Sequence, residues 1–309
     1  MKRLTSLKEN IAYFDAQTKT KLMRKLFSLL FIVAALTSCS KKSTTTEAHV
    51  NFIFKFDSTQ VRLNNVGSPS GVIAGHKAQS PKFNFMSAHY VELDLNQFAA
   101  IGSGAVLYRA AETTAGGTNA IDFSKATLAT EGQTFLSVPV SSITPGTYNW
   151  LRVSLAYQNY KVNVTAGGNT FSATVASFIG FRSYIQSYKV KDSTVTVNGN
   201  RDQGYWAFEA STSGVGVLRS GQAPAGATTV PNPIFASSPI PAGSCLVTGQ
   251  FGIPLVITGK ETGDITIVVS LSTNKSFEWI DSDGNNTFDP LNGDAVADMG
   301  IRGLIPIRQ

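Results

Sequence analysis

Val50-Asn51-Phe52-Ile53-Phe54-Lys55-Phe56-Asp57 places Phe52, Phe54 and Phe56 on one side of an extended chain. Tyr90-Val91-Glu92-Leu93-Asp94-Leu95 alternates Val91, Leu93 and Leu95 with Glu92 and Asp94. A period of two is the signature of a strand with one face buried and one in water. Further runs of this kind cover 105–109, 135–140, 149–157, 170–178, 194–197, 205–209, 246–251 and 265–271. Between them stand turn formers: Thr144-Pro145-Gly146, Ala166-Gly167-Gly168-Asn169, Val197-Asn198-Gly199-Asn200 and Thr262-Gly263-Asp264. Gly and Asn supply the positive φ that tight turns require. Helical periodicity is confined to a turn near Leu95–Ala100 and another near Asp122–Ala129. The pattern predicts an all-β protein, an antiparallel β-sandwich built as one extended unit or two tandem modules.

The boundary between those two options lies in residues 211–241, rich in Gly, Ala, Pro and Ser. A structureless loop of that length is uncommon inside a compact domain, which favours a linker. Residues 242–309 alone, however, hold too few strands for a second sandwich. The organisation expected is therefore a sandwich body over 48–210, a loop or linker over 211–241, and carboxy-terminal strands over 242–309 that complete sheets begun upstream. There is no internal repeat.

The 309 residues carry 26 Lys and Arg against 20 Asp and Glu. Seven of the basic groups and two of the acidic ones lie in residues 1–38, leaving 19 against 18 in the rest. The body is thus almost neutral and lacks the electrostatic footprint of nucleic-acid binding.

The amino-terminal region reads as an address. Met23-Arg24-Lys25 precedes Leu26–Leu36, an uncharged apolar run of eleven residues. Eleven helical residues rise only about 16 Å, too short to span a bilayer and right for a signal-peptide core. Leu36-Thr37-Ser38-Cys39 follows at once. It resembles the lipobox of bacterial lipoproteins, which implies cleavage before Cys39 and acylation of that cysteine. The alternative is an ordinary secretory signal with an incidental cysteine. Residues 1–38 are thus a lipoprotein signal region, and 39–47 are a polar tether. Met23 reads as a good initiator; a long charged leader from Met1 is the other reading. Lipidation of Cys39 leaves Cys245 without a partner, so a buried, inert thiol is expected there.

The densest charge cluster is Asp281-Ser282-Asp283-Gly284-Asn285-Asn286-Thr287-Phe288-Asp289, with Asp294 and Asp298 beyond. Oxygen ligands at alternating positions suit a hard cation such as Ca²⁺. Asp281, Asp283, Asn285, the Thr287 carbonyl and Asp289 match an EF-hand-type loop. Asn286 replaces its glycine and Asn292 its final glutamate, so Asp294 or Asp298 must substitute. No helix pair flanks the loop. A solvated acidic turn is the competing reading.

Catalytic signatures are missing. His49, His76 and His89 are not at ligand spacing, and Gly67-Ser68-Pro69-Ser70-Gly71 has proline where a nucleophile would stand. Glu278 and Asp281 are a carboxylate pair on which an acid/base hydrolase can be imagined. Trp150, Tyr157 and Tyr160 are candidates for a sugar- or peptide-binding platform, with 156–160 expected to be exposed; core packing is the alternative.

Several phrases, taken together, carry a resemblance. They are Ile143–Val153 followed by Leu155–Tyr160, then Gly243–Gly249, Ser272–Trp279 and Asp298–Pro306. Over nearly the whole mature chain they resemble a family of envelope lipoproteins of the Bacteroidota. The resemblance implies a lipid-anchored, β-rich protein of a Gram-negative envelope; it implies no particular activity and carries over no functional residues. The Pro145-Gly146-Thr147-Tyr148 turn is similar to hairpins of transthyretin- and immunoglobulin-type sandwiches. Ser40 lacks the aspartate that retains lipoproteins at the inner membrane in enteric bacteria, and Lys41-Lys42 replaces an acidic surface-export tag. By analogy these imply the outer membrane, facing the periplasm. The expected role is non-catalytic binding or scaffolding. The alternatives are a glycan-binding component of an uptake system, a hydrolase using the acidic cluster, and a fimbrial subunit with an open sheet edge.

Overall fold

A computed structural model of the protein describes residues 47–212, 215–223, 236 and 245–309. The signal region, the lipobox and all of the tether except Glu47 lie outside the described residues. The fold is an all-β sandwich. One sheet of four strands is ordered β18 (Leu304–Arg308), β15 (Ile265–Ser272), β1 (His49–Asp57), β7 (Thr134–Pro139). A seven-stranded sheet faces it. Six of its strands are ordered β13 (Val215–Gln222), β12 (Tyr205–Thr212), β9 (Asn169–Phe178), β8 (Gly146–Ala166), β3 (Lys82–Asp94), β4 (Ala105–Arg109). The seventh, β14 (Cys245–Ile257), pairs with β8.

The period-two pattern explains the inner faces. Phe52 and Phe54 of β1 and Ile267 and Val269 of β15 are buried against Leu151, Val153 and Leu155 of β8. Each such side chain contributes roughly 1.5–3 kcal/mol of burial. Aromatic contacts run through the core: Phe54 stacks on Phe135 at 4.7 Å, and Phe83 on Tyr160 at 4.9 Å. The Gly167-Gly168 turn closes the β8–β9 hairpin with φ of +56° and +78°.

Two smaller sheets flank this sandwich. β11 (Thr194–Asp202), β10 (Arg182–Lys189), β6 (Ala120–Asp122) and β5 (Glu112–Thr113) form one. They enclose a second apolar cluster of Tyr157, Phe178, Tyr188 and Tyr205. β17 (Ala295–Met299), β16 (Phe277–Ile280) and β2 (His76–Gln79) form the other.

Three expectations change. The Gly/Pro/Ser-rich stretch was expected to be a loop or linker throughout, yet its first part is strand, since β13 pairs with β12 along its whole length. Val197–Asn200 is not a turn; the chain stays extended through β11, with Asn198 at φ +50° where the register against β10 shifts. Residues 95–100 form bends and a single turn, with the Ala99 N–H donating to the Asn96 carbonyl. The helical turn expected near Asp122–Ala129 is present, as a short 3-10 helix, Phe123–Lys125, capped by Asp122.

The carboxy-terminal strands complete sheets begun upstream. β15 pairs with β1 in parallel, Val50 opposite Ile265, and β14 runs antiparallel to β8. Where β14 meets β18, Gly249 leaves no room for a side chain, because a Cβ there would stand 2.2 Å from the Leu304 carbonyl oxygen. Gly249→Ala is therefore expected to lower unfolding stability by about 1–3 kcal/mol. Gly252→Ala, on the same strand with no atom within 4 Å of the added carbon, is expected to be neutral. Urea denaturation of the two variants checks the contrast.

Candidate functional site

The acidic loop joins β16 to β17. Gly284 and Asn286 take φ of +75° and +63°, folding the chain back on itself. Carboxylates organise the turns. Asp281 accepts the N–H groups of Gly284 (3.1 Å) and Asn286 (3.0 Å), and Asp294 accepts those of Ser282 (2.8 Å) and Asp289 (2.8 Å). Asp281, Asp283 and Asp294 each bring one oxygen within 4.8 Å of the others. Three carboxylate oxygens so placed match the donor set of a hard cation.

The other residues of the expected ligand set are engaged differently. Asn285 uses its side-chain oxygen to accept the Thr287 N–H and hydroxyl, both at 2.7 Å. Asp289 is buried and accepts the Asn292 amide at 2.7 Å. Phe288 packs edge-on against Phe277, and its carbonyl accepts the Thr165 N–H, which fastens the loop to the end of β8.

Next to this loop is a cleft of about 220 Å³ whose lining includes Arg62, Asn64, Ser70, Glu278, Asp298 and Arg302. Glu278 is fully buried at its base. One oxygen accepts Arg62 Nη2 at 2.5 Å; the other meets His76 Nδ1 at 3.1 Å and accepts the Ile73 N–H at 3.3 Å. Arg302 stands 3.8 Å from Glu278 and pairs with Asp298 at 2.5 Å. Burial works to raise both carboxyls. The bonds from Arg62 and His76 nevertheless hold Glu278 below its usual range, whereas at Asp298 burial prevails over the pull of Arg302. Both oxygens of Glu278 are thus already engaged. Arg62 also donates to the carbonyls of Gly71, Asn274 and Lys275, so the cluster clamps the 58–75 segment onto β16. Asp281, the other half of the imagined acid/base pair, belongs to the loop turns described above.

The aromatic platform is corrected by the structure. Tyr157 and Tyr160 are 1% and 0% exposed, and neither offers a ring face to a sugar. The cause is a bulge. β3 pairs Ala88 with Leu155 and Ser87 with Tyr157, leaving Ala156 unopposed, so the inward face passes from odd to even residues. Leu155 and Tyr160 then point into the main core, and Tyr157 points into the second cluster. Trp150 is half-buried beneath Gly67, where a Cβ would lie 3.0 Å from its ring.

Cys245 is fully buried, and burial pushes its thiol up to about 12. The histidines go to separate partners: His49 to the Glu47 carbonyl, His76 to Glu278, and His89 to Glu112.

Sequence reasoning missed one cluster altogether. Glu92 and Asp94 read as the wet side of a half-buried strand, but both are fully buried, together with Arg152. Meanwhile Leu95, expected inside, is 63% exposed. Arg152 pairs with Asp94 at 2.8 Å and with Glu92 at 3.4 Å. The three groups hold the 95–104 loop. Arg152 donates to the carbonyls of Gln97 and Ala99, and Glu92 accepts the N–H groups of Gly102 and Gly104. The nearest sequence signal was Arg152 itself, a lone cation inside an otherwise apolar strand run.

One guanidinium serves two carboxylates here, and burial pushes the Asp94 carboxyl up to about 7 despite Arg152, with Glu92 adding to the rise. A carboxyl raised from 3.8 binds a proton on folding between those values, so its contribution to stability is full below pH 4 and lost as pH rises toward 7. The stability difference between the wild type and Asp94→Asn should therefore fall across that window and level off above it. Denaturant melts at several pH values check this.

Comparison of the chain with protein-family models, with curated proteins and with solved structures found no match, so the reading of its function rests on its own residues.

Proposed function

We propose that the protein is a lipid-anchored component of a Gram-negative cell envelope, held by acyl chains on Cys39, with a non-catalytic binding or scaffolding role. The observation that carries the reading is Leu36-Thr37-Ser38-Cys39 directly behind a basic start and an eleven-residue apolar run. Each buried methylene of an acyl chain contributes about 0.8 kcal/mol, so several chains anchor a protein stably where one binds reversibly. No helix among the described residues is long and apolar enough to cross a membrane. The non-catalytic part draws support from the ionic clusters, whose charged groups are engaged with one another and with backbone. Within the envelope, the outer membrane facing the periplasm is the location that Ser40 and Lys41-Lys42 favour.

Growth with labelled palmitate tests the anchor. The wild type is expected to be labelled and to sediment with the envelope, and Cys39→Ser to lose the label and enter the soluble fraction. Equal labelling and sedimentation of the two overturns the reading.

The acidic loop supports an additional reading, a Ca²⁺ site formed by Asp281, Asp283 and Asp294. A ligand that binds only the folded state raises stability by RT ln(1 + [L]/Kd). Millimolar Ca²⁺ is expected to raise the melting temperature of the wild type and leave Asp283→Asn unmoved. A wild-type melt unchanged by Ca²⁺ removes this reading.

A further inference from the structure

The two main sheets share one end. There β1, β15, β8 and β4 begin, and β7, β14, β3 and β18 finish. Short connections over 95–104, 140–145 and 258–264 join them. Six exposed large apolar side chains lie at this end; three others, Ile280, Leu291 and Val296, lie on or beside the acidic loop among its carboxylates. Leu95, Phe98 and Ile253 are 63%, 64% and 78% exposed, and Val106, Val256 and Ile307 are also exposed. Leu95 and Ile253 flank the first residues of β8, because the Leu95 carbonyl accepts the Asn149 side-chain amide while the β14 bulge carrying Ile253 lies opposite that residue. The loop bearing Leu95 and Phe98 is braced by the buried Arg152 and Glu92, and Ile101 packs beneath it against Tyr90 and Leu246. These apolar groups are thus held outward on a fixed frame, at no further cost in ordering.

The chain enters the sandwich at the same end. The Glu47 carboxylate accepts the Ser141 hydroxyl, the Ala48 carbonyl accepts the Val140 N–H, and the His49 N–H donates to Asp264. Cys39 stands eight residues before Glu47, a length that reaches at most about 28 Å. The acidic loop is at the other end of the long strand, fixed by the Thr165 N–H, so its carboxylates are far from this apolar rim.

We infer that the end carrying Leu95, Phe98 and Ile253 rests on the lipid surface that holds the acyl chains, with the acidic loop pointing away from it. The inference rests on the acylation of Cys39. Apolar side chains projecting from a rigid frame enter the headgroup boundary; the entry of the chain at this end sets the direction, since Glu47, Glu261 and Asp264 place carboxylates here as well. The surface fixes orientation, and the acyl chains supply the affinity.

The acylated full chain, reconstituted into nanodiscs of phosphatidylethanolamine and phosphatidylglycerol doped with a nitroxide-labelled lipid, tests this. A bimane fluorophore is placed in turn at Phe98→Cys, Ile253→Cys and Leu291→Cys; all three positions are exposed, so the fold tolerates them, and Cys245 is buried from the reagent. Quenching at 98 and 253 is expected to exceed that at 291 at least threefold. Chains that travel with the discs but are quenched equally at all three positions, or most strongly at 291, overturn the orientation alone. Chains that fail to travel with the discs overturn the acylation of Cys39 and this inference with it.

Discussion

The fold depends on a single strand serving three partners. β8 gives one edge to β3 along most of its length and divides the other between β14 and β9. The division falls near Ala156, whose carbonyl accepts the N–H groups of both Ile179 and Gly180 as the chain leaves β9. The extra residue reverses the inward face at that point. One strand therefore serves two apolar clusters on opposite sides, and the small β5–β6–β10–β11 sheet is needed to cover the second.

Charge in the interior is used for positioning. Burying ions costs several kcal/mol each, and the return in pairing seldom exceeds that cost. In both buried clusters the charged groups reach backbone of irregular segments. Arg152 and Glu92 hold carbonyls and N–H groups of 95–104, and Arg62 holds those around 71 and 274–275. Loops cannot fix themselves by ladder bonds, so a charged side chain planted in a strand does it for them.

Much of the fold was legible in the sequence, because alternation and turn chemistry are local. β1, β4 and β9 lie where Phe52–Phe56, 105–109 and 170–178 place them, and the Gly167-Gly168 hairpin follows from its residues. The failures have two causes, a loop folded over a strand face and a shift of register between strands, and neither is local in sequence. Glu92 and Asp94 alternate correctly, but a loop returns over their face and shuts out water. Tyr157 and Tyr160 were misread because a bulge shifts phase without leaving any mark of its own. In the acidic loop the alternating oxygens were visible, but not that Asp294 would accept the N–H groups of Ser282 and Asp289. That Asn285 and Asp289 bond within the loop required coordinates.

The parallel pairing of β1 with β15 has a temporal meaning. Residue 50 finds its neighbour at residue 265, and the strand beside that neighbour ends at 308. Contacts so distant in sequence form slowly and late, since a long loop must close before they repay its entropy. β1 can pair with β7 as soon as residue 139 exists, whereas its other edge, and with it the complete four-stranded sheet, waits for residues 265–308.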